Sequence, residues 1–579
     1  MRIIMKRQLL TTALTAAILA VAGHIPMPVA AREPACHATK TTELKQFTGN
    51  TRPREGKGDA EVPLWDNLLG HPFPTSTQVK EAQRYIDQAI MLTFGFNHAE
   101  AARSFRAAQA LDPSCAICYW GEALVLGPNI NAPMDPSANE PALAALGRAK
   151  ALAAKAPPRE QALIAALDKR YAPAESGLGR AELDRAYADA MEDVAARFPD
   201  EDIAVLYAES LMDLSPWDYW TDGGAKPKNR GADIVATLER VLRRNPDHPG
   251  AIHLYIHAVE ASDRPERAEP YADRLAGMKI GAGHLVHMPS HIYYRIGRYQ
   301  DALVANRRAV ATDENFFAKV APEGLYAGGY YPHNIHFLLV SAQMAGDGAT
   351  AIAAAEKLSR TVSDTLARAA PAFVQPIKAA PLFAHAQFSA PDAVLALPRP
   401  SGDFPFVDAI WHYARGVAQA ALGDVEAAQQ ERDAIARIAR TADLSGLVEG
   451  GVPAQEVLGI AANILDGRIA QAEGDWPAAV SAFRQAKSLE DQLPYMEPRH
   501  WYYPVGQSLA AALMKTGDLA GAEAAFQDSL RLAPGNGWAL YGLAELYRVR
   551  GNLTEAQEIE SRLKRAWVGN RSLLRLERL

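Results

Sequence analysis

Apolar residues along this chain recur at helical rather than strand spacing. Alanine is abundant throughout, and no alternating run of Val, Ile and Thr is long enough to suggest a sheet. Alanine favours helix, whereas strict alternation of apolar and polar residues would indicate half-buried strands. The pattern therefore predicts an all-α protein.

Six short turns, each led by a glycine, separate successive amphipathic helices. They are Gly297-Arg298-Tyr299, Gly346-Asp347, Gly423-Asp424, Gly474-Asp475-Trp476, Gly517-Asp518 and Gly551-Asn552. An alanine follows five residues after each glycine, at Ala302, Ala351, Ala428, Ala479, Ala522 and Ala556. Small residues at these places let two helices approach closely. A helix pair that cannot bury its apolar face alone must stack on its neighbours, which predicts a solenoid.

The second helices of several pairs share an alanine and a phenylalanine four residues apart. The pairs are Ala101 with Phe105, Ala479 with Phe483, and Ala522 with Phe526. This pattern resembles the tetratricopeptide repeat (TPR) over most of residues 80–570, most specifically in the last three repeats. The resemblance implies a TPR-like α-solenoid, a superhelix of antiparallel helix pairs. Asn306 departs from the pattern because a bulky apolar residue is usual at its position.

Three further stretches are similar to a group of exported bacterial TPR proteins. They are residues 96–100, 126–131 and 283–291. This resemblance supports the same fold and implies no particular reaction.

Prolines divide the predicted solenoid into two arrays. Seven prolines lie within residues 371–405. Because proline lacks a backbone N–H and clashes with the preceding turn, such density predicts an irregular linker or crossover. The expected organisation is a histidine-rich array over residues 76–370 and a C-terminal TPR array over residues 406–579. Residues 32–75 are polar and proline-rich, which indicates an extended N-terminal segment.

The first 31 residues have the pattern of a secretory signal peptide. Arg2, Lys6 and Arg7 precede an apolar stretch over residues 9–23, and small residues precede Arg32. The stretch is short for a membrane anchor, and no later segment has eighteen consecutive apolar residues. We therefore expect cleavage, a periplasmic or secreted location, and no integral membrane segment in the mature chain.

Charge and cysteine content narrow the expected partners and compartment. Cleavage would remove three positive charges, which takes the net charge from −7 to −10. An acidic chain lacks the basic face that nucleic acids usually require, so no nucleic-acid partner is expected. The three cysteines are Cys36, Cys115 and Cys118. For the Cys115-x2-Cys118 pair, packing or a disulfide is favoured over chemistry, because no second pair completes a zinc site.

Seven of the 15 histidines lie within one short part of the chain. They are His253, His257, His284, His287, His291, His333 and His336. His253 and His257 share a helix face that Glu260 continues, and His284, His287 and His291 form another stripe, because residues three and four apart are neighbours on a helix. Imidazole is the commonest transition-metal ligand in proteins and titrates near neutral pH.

The TPR resemblance implies that these stripes face one concave groove. Groove-lining residues occupy the second, fifth, ninth and twelfth places of a repeat's first helix. Counting back from Gly297 puts His284, His287 and His291 at the second, fifth and ninth places. Counting from Gly346 puts His333 and His336 at the second and fifth. Phasing from Ala268 puts His253, His257 and Glu260 at the fifth, ninth and twelfth.

These positions predict a transition-metal site whose metal is Cu, Zn, Fe or Ni. His253, His257, His287 and His291 are the first-choice ligands. Glu260, His284, His333 and His336 are further ligands or groups that hydrogen-bond to ligands. Met288 slightly favours copper. Enough ligands are present for two ions, and an open coordination position would allow metalloenzyme chemistry.

Two other functions stay open at this stage. One is a metal-free TPR scaffold that binds a peptide, protein or small molecule in the groove within the cell envelope. The other is metal sequestration or delivery, which uses the same ligands without a substrate pocket.

Two local features also allow more than one interpretation. Pro289 either lies in the first turn of a helix or kinks one, which would change the direction of His284. The Gly- and Tyr-rich segment 324–331 either lines a pocket or is an ordinary exposed turn.

Overall fold

The computed structural model describes residues 62–320 and 324–579, all within one compact unit. The signal peptide predicted over residues 1–31, most of the predicted N-terminal segment, and Cys36 lie outside the described residues. The described part of that segment, residues 62–75, contains no α-helix, and it buries Leu68 and Phe73.

The structure is an all-α solenoid of antiparallel helix pairs, as the sequence predicts. The helices of the first part are α1 (Lys80–Phe94), α2 (His98–Leu111), α3 (Ala116–Val125), α4 (Asn139–Leu152), α5 (Pro158–Leu167), α6 (Arg180–Arg197), α7 (Glu201–Met212), α8 (Gly231–Arg244), α9 (Pro249–Glu260), α10 (Glu269–Gly277), α11 (Gly283–His287), α12 (Pro289–Arg295) and α13 (Tyr299–Phe317). A two-residue antiparallel pair, β1 (Trp220–Thr221) and β2 (Lys226–Pro227), lies in the turn before α8.

The second part continues the same arrangement of helices. It contains α14 (Tyr331–Ala345), α15 (Gly348–Thr361), α16 (Asp364–Ala369), α17 (Pro371–Phe388), α18 (Pro391–Leu395), α19 (Pro405–Leu422), α20 (Val425–Thr441), α21 (Ser445–Glu449), α22 (Ala454–Glu473), α23 (Trp476–Glu490), α24 (Val505–Thr516), α25 (Leu519–Leu532), α26 (Gly537–Arg550) and α27 (Leu553–Ala566). No helix in the described ranges is both long and apolar enough to cross a bilayer.

The glycine-led turns join the helices of a pair by the same means in several repeats. At Gly423-Asp424 and Gly474-Asp475 the glycine has φ near +78° and ends the first helix, and the aspartate side chain accepts a backbone N–H of the next helix. Glycine adopts this left-handed conformation without steric cost, and aspartate is a favoured N-cap. The predicted alanines five residues further on are all buried. These turns are therefore short and rigid.

A glycine in the first helix of a repeat faces the phenylalanine of a second helix. A Cβ at Gly121 would lie 2.2 Å from the Phe105 ring, and one at Gly542 would lie 2.2 Å from the Phe526 ring. A side chain there would clash, so both contacts depend on glycine. The same packing occurs in the first and last parts of the solenoid, as expected for a repeat.

The prediction of a linker or irregular crossover over residues 371–405 is wrong for residues 371–388, whereas residues 396–404 contain no helix. Residues 371–388 form α17, with Pro371 in the first turn and Pro376 and Pro381 inside the helix. Interior proline costs roughly 3 kcal/mol in helix propensity. Val374, Ile377 and Phe383 are buried in the second core, and each buried side chain of this size contributes roughly 1.5–3 kcal/mol. Tertiary packing therefore overrides the local preference.

The apolar core changes at a different place in the chain. One buried cluster gathers side chains from Leu68 to Tyr330, and another gathers side chains from Tyr294 to Leu579. The two overlap in sequence over residues 294–330, among the predicted metal ligands. The chain therefore passes from one core to the other in the histidine-bearing region, and not at the proline-rich segment.

A disulfide joins Cys115 and Cys118 at the start of α3. Both residues are buried, and Cys115 is the N-cap residue of the helix. The structure therefore contains the disulfide that is one of the two favoured interpretations of this pair.

Candidate metal centre

Three helical segments bring the predicted ligands together. Helix α9 carries His253, His257 and Glu260, the α11–α12 segment carries His284, His287 and His291, and α14 carries His333 and His336. All of these side chains except His333 are at most 4% exposed. The histidines therefore lie in an enclosed site, where the sequence predicted an open groove.

Pro289 begins a helix and does not kink one from inside. It is the first residue of α12, directly after Met288, whose backbone is helical. Proline is well tolerated at this position because the first N–H groups of a helix have no partner within it. The change from α11 to α12 keeps His284, His287 and His291 on one side of the segment.

Two three-histidine clusters result. His253, His257 and His284 form the first cluster, and His287, His291 and His333 form the second. Within each cluster, the candidate ligand atoms all lie within 4.8 Å of one another. The clusters are adjacent, since the His257 and His291 rings are 5.3 Å apart and the His284 and His287 rings 5.7 Å apart. Donor sets of three imidazoles suit Zn, Cu, Ni or Fe, and not Ca or Mg.

Hydrogen bonds behind the rings fix which nitrogen faces the cluster. His253 donates its Nδ1 proton to the Phe94 carbonyl at 2.5 Å, and His287 donates its Nδ1 proton to Asn306 Oδ1 at 2.6 Å. The Asn306 amide is itself oriented by its bond to the Ala302 carbonyl. Each neutral ring consequently presents the lone pair of Nε2 to its cluster. Metal-binding histidines characteristically donate their other N–H in this way.

Asn306 thus has a specific role at the place where it departs from the repeat pattern. A bulky apolar residue there would leave the His287 Nδ1 proton only the longer contact with Ser290 Oγ, at 3.2 Å. The unusual polar residue is explained by the histidine it orients.

Glu260 connects the two clusters. Its Oε1 accepts the Nδ1 proton of His257 at 2.6 Å, and its Oε2 accepts the Nδ1 proton of His291 at 2.8 Å. Although burial opposes ionisation, the His291 charge and the hydrogen bonds hold the pKa of Glu260 well below its usual range. One buried carboxylate therefore orients one ring in each cluster.

The second cluster holds a proton between two rings. His287 Nε2 and His291 Nε2 are 2.8 Å apart, so one of them must carry a hydrogen. Burial lowers the pKa of His291, but the Glu260 charge outweighs burial and raises it above the usual range. Burial lowers the pKa of His287 well below its usual range, and the neighbouring His291 adds to this effect. The proton therefore belongs to His291, which donates it to His287.

The first cluster differs from the second because the pKa of each of its histidines is lowered, which favours neutral rings. Burial is the largest cause that lowers the pKa of His253, His257 and His284. Four buried ring nitrogens have no hydrogen-bond partner among the described residues, namely His253 Nε2, His257 Nε2, His284 Nδ1 and His284 Nε2. Leaving a buried polar group unsatisfied costs roughly 1–3 kcal/mol. Neutral imidazoles with unshared lone pairs are suited to bind a metal cation.

The structure does not bring His336 into either cluster. Its Nε2 is 2.9 Å from the Tyr502 hydroxyl, and burial lowers its pKa to about 3. Of the eight predicted residues, the other seven converge.

A cavity of about 70 Å³ lies beside both clusters. His257, His284, His291 and His333 contribute to its wall. Trp217 and Tyr330 also line it, and the Trp217 ring meets the His257 ring at 4.9 Å. The segment 324–331 therefore contributes to a pocket, which decides between the two interpretations of the sequence.

The loop between α23 and α24 covers the cavity, and the sequence gives no sign of this. Tyr495 donates to Glu260 Oε2 at 3.1 Å or to Glu497 Oε1 at 2.9 Å, and Tyr502 contacts His336. Burial, with the nearby Glu260 charge, raises the pKa of Glu497 to about 7. No spacing rule relates residues about 160 positions beyond His333 to the histidines, so only the fold reveals them.

A further histidine and carboxylate group lies elsewhere, among His71, Asp202 and His248. His71 Nε2 is 2.7 Å and His248 Nε2 is 3.2 Å from Asp202 Oδ1. His248 Nδ1 accepts the Ala251 N–H as the N-cap of α9, so its proton lies on Nε2, towards Asp202. His248 Nε2 nevertheless makes no hydrogen bond of good geometry among the described residues, so this group resembles the clusters in one ring nitrogen but offers only two imidazoles.

Comparisons with known proteins support the repeat. The tetratricopeptide repeat family matches residues 513–566. No curated protein sequence matches the chain.

The chain is also similar to several solved structures at low identity. They include a human IFIT1 dimer with m7Gppp-AAAA (15% identity, 85% of this chain and 91% of that chain, TM-score 0.29). Yeast Tom70 is another (12% identity, 84% and 92%, TM-score 0.27), as is the APC/C hetero-tetramer Cut9–Hcn1 (13% identity, 86% and 79%, TM-score 0.27). Likeness at this level says nothing about function.

Proposed function

We propose that this TPR-like solenoid binds two transition-metal ions, one in each three-histidine cluster, as a metalloenzyme site. The observation that carries the proposal is the set of four unpartnered ring nitrogens buried in the first cluster. Their arrangement beside a second set of three imidazoles supports a two-ion site. Cu, Zn, Fe and Ni are the candidate metals.

Small side-chain shifts would bring the ligands to metal-binding distances. In the second cluster the ion would also replace the proton that His291 donates to His287, and that proton would leave to solvent. Two nitrogens bound to one tetrahedral zinc, each at about 2.05 Å, are about 3.3 Å apart. The ligand atoms already lie within 4.8 Å of one another. Three protein ligands leave a fourth position for water or substrate, which is the arrangement of catalytic rather than structural sites. The cavity gives a small molecule access to that position.

Metal analysis of cluster-specific variants tests the proposal. We expect about two ions per chain in the parent by elemental mass spectrometry after loading with each candidate metal. His253→Ala/His284→Ala should remove the first ion, and His287→Ala/His333→Ala the second. The ion that each variant keeps shows that the fold survives. His385→Ala, outside both clusters, is the matched control and should keep both ions.

Two results would contradict the proposal. One is a folded parent that takes up no metal. The other is a variant pair in which either double substitution leaves the stoichiometry unchanged. Turnover that depends on added metal would separate a metalloenzyme from a sequestration or delivery protein that uses the same ligands.

A second role, as a binding scaffold, is supported by the repeat match at residues 513–566. TPR arrays commonly bind peptides or proteins, and this segment is remote in sequence from the histidines. A pull-down with the His253→Ala/His284→Ala variant tests the separation of the roles. Partners retained by that variant would support a scaffold role that is independent of metal.

We also propose that the chain is exported through the N-terminal signal pattern. The Cys115–Cys118 disulfide supports an oxidising compartment. Cell fractionation with N-terminal sequencing tests this, and a mature chain that still begins at Met1 would contradict it.

A further inference from the structure

The cavity beside the two clusters has one apolar wall. That wall is built by α17, which presents Ala372, Phe373, Pro376 and Ile377. The enclosed part of the cavity measures about 70 Å³. That is more than a single water fills and less than the roughly 150 Å³ of a cavity that holds benzene, so a ring-sized ligand must widen the cavity or reach its opening. Most of its surface is apolar or aromatic, as in pockets for small organic molecules.

One polar group on the covering loop has an unused hydrogen-bonding atom. Glu497 lines the cavity, is 8% exposed, and uses its Oε1 to accept from Tyr495 at 2.9 Å. Its Oε2 is buried and has no hydrogen-bond partner among the described residues. A buried carboxylate oxygen without a partner is costly, so a ligand that hydrogen-bonds to it is favoured.

The surrounding charges restrict the ligand. Glu497 and Glu260 share the Tyr495 hydroxyl and are therefore close together. A second carboxylate brought by a ligand would repel both, and the cations at the cavity wall, His291 and Arg499, are already hydrogen-bonded to other groups. A neutral molecule with one hydroxyl fits better, since a hydroxyl both donates and accepts and thus matches Glu497 in either protonation state.

We propose that the cavity binds a small neutral aromatic alcohol of the phenol class. Its hydroxyl hydrogen-bonds to Glu497 Oε2, and its ring lies against Phe373 and Ile377, beside the histidine clusters. The role of this compound as a substrate rests on the proposed metal site, whereas its binding requires the protein alone. The two ideas can therefore fail separately.

Calorimetric titration with phenol, toluene and benzoate tests the inference. The titrations use the full chain at pH 8, both chelator-treated and metal-loaded. In the metal-free protein we expect phenol to bind at least tenfold more tightly than toluene, and benzoate not to bind. Equal affinities for phenol and toluene, or tighter binding of benzoate, would overturn the inference.

Variants identify the groups responsible. Glu497→Leu should abolish the preference for phenol over toluene while toluene still binds, which a general loss of structure would not produce. Should Glu497→Leu not fold, Glu497→Gln keeps the shape and should reduce the preference at least threefold. Phe373→Ala should weaken both ligands, and exposed Glu473→Leu should change neither. An unchanged preference in the Glu497 variants would refute the assignment.

The metal experiment remains distinguishable from this one. Phenol binding by a protein that takes up no metal would support the pocket and remove the metal site. Two bound ions without phenol binding would leave the metal site and remove the pocket inference.

Discussion

Glu260 has more consequences for the site than any other single side chain, because each of its oxygens accepts a proton from a ring in a different cluster. An amide at this position offers one acceptor oxygen and one N–H₂ donor. The donor would face the N–H of an imidazole, so one ring would have to turn or change tautomer. Disturbed hydrogen bonds behind metal ligands typically cost 10–100-fold in affinity.

We therefore expect Glu260→Gln to weaken metal binding by about 10–100-fold while leaving the stoichiometry at high metal concentration unchanged. Competition with a chromophoric chelator measures the affinity. Exposed Glu266→Gln on the next helical turn is the control and should match the parent. Parental affinity in Glu260→Gln would show that the carboxylate does not orient the ligands.

Trp217 should report metal binding optically. Its ring meets that of His257 at 4.9 Å and lines the cavity. A bound ion near His257, particularly Cu(II), should quench or shift its fluorescence. Trp217→Phe should remove most of the metal-dependent change while the stoichiometry from elemental analysis stays the same. A full signal in that variant would place the metal near another tryptophan.

Residues on one helix could be grouped from sequence, and residues that meet across the fold could not. The spacing of His253, His257 and Glu260 predicts their common face because helical neighbours are three and four apart. The contact of Tyr495 with Glu260 joins residues 235 positions apart. Nothing local to a loop indicates such a partner, so Tyr495 and Glu497 were missed.

At the scale of elements, the turns were predictable and the proline-rich helix was not. Gly423-Asp424 encodes a helix end and a helix start in adjacent residues, whatever surrounds them. The helical state of Pro376 and Pro381 depends on burial of α17 in the second core, which is a property of the whole fold. Local preference therefore sets the turns, and tertiary packing sets α17.

Glu490, at the end of α23, hydrogen-bonds to the start of α24 and thereby connects the two ends of the covering loop. Its Oε1 accepts the Val505 N–H at 3.0 Å, and burial raises its pKa from 4.5 to about 7. The folded state thus binds the Glu490 proton more tightly than the unfolded chain. Its contribution to stability is present below pH 4.5 and is lost as the pH rises through 7.

Glu490→Gln should remove this loss, because the amide stays neutral. We expect the variant to match the parent near pH 4.5 and to exceed its free energy of unfolding at pH 8 by up to about 3 kcal/mol. Urea unfolding at both pH values measures the difference. Exposed Glu473→Gln should show no such pH dependence, and a constant difference between Glu490→Gln and parent would disprove the explanation.

The turn at Gly297 packs against a distant loop, and a matched glycine allows that contact to be tested. Both Gly297 and Gly423 have φ near +80°, but a Cβ at Gly297 would lie 1.7 Å from the Pro534 carbonyl, and one at Gly423 meets nothing within 4 Å. Alanine in a left-handed conformation costs roughly 1–2 kcal/mol. Gly297→Ala should cost about 1–3 kcal/mol more than Gly423→Ala, because the loop must also move. Equal losses in thermal unfolding would show that the contact is unimportant.

At the scale of the whole molecule, the site lies where the chain passes from the first apolar core to the second. Helices α9, α11 and α12 belong with the first core, α14 with the second, and the covering loop precedes α24. A metal bound there connects elements of both cores. It should therefore stabilise the entire described unit and not one helix pair.

Metal loading should accordingly raise the unfolding temperature of the protein as a whole. An ion at a free concentration 100 times its Kd adds about 2.7 kcal/mol per site. Calorimetry with and without metal measures the shift, which a chelator should reverse. His287→Ala/His333→Ala should retain about half of it. A shift confined to one of several separate transitions would place the ion within a single core.

The position of the covering loop far along the chain also has a consequence for the order of events during synthesis. The last histidine of the two clusters, His333, leaves the ribosome about 160 residues before Tyr495. At 5–20 residues per second, roughly 8–30 s separate the two. The nascent chain thus offers its histidines to solution before it can enclose them. Uptake of the proposed metal should therefore be fast in chains that are still folding and slow in finished ones, so that the timing of metal supply, as well as affinity, would select the ion.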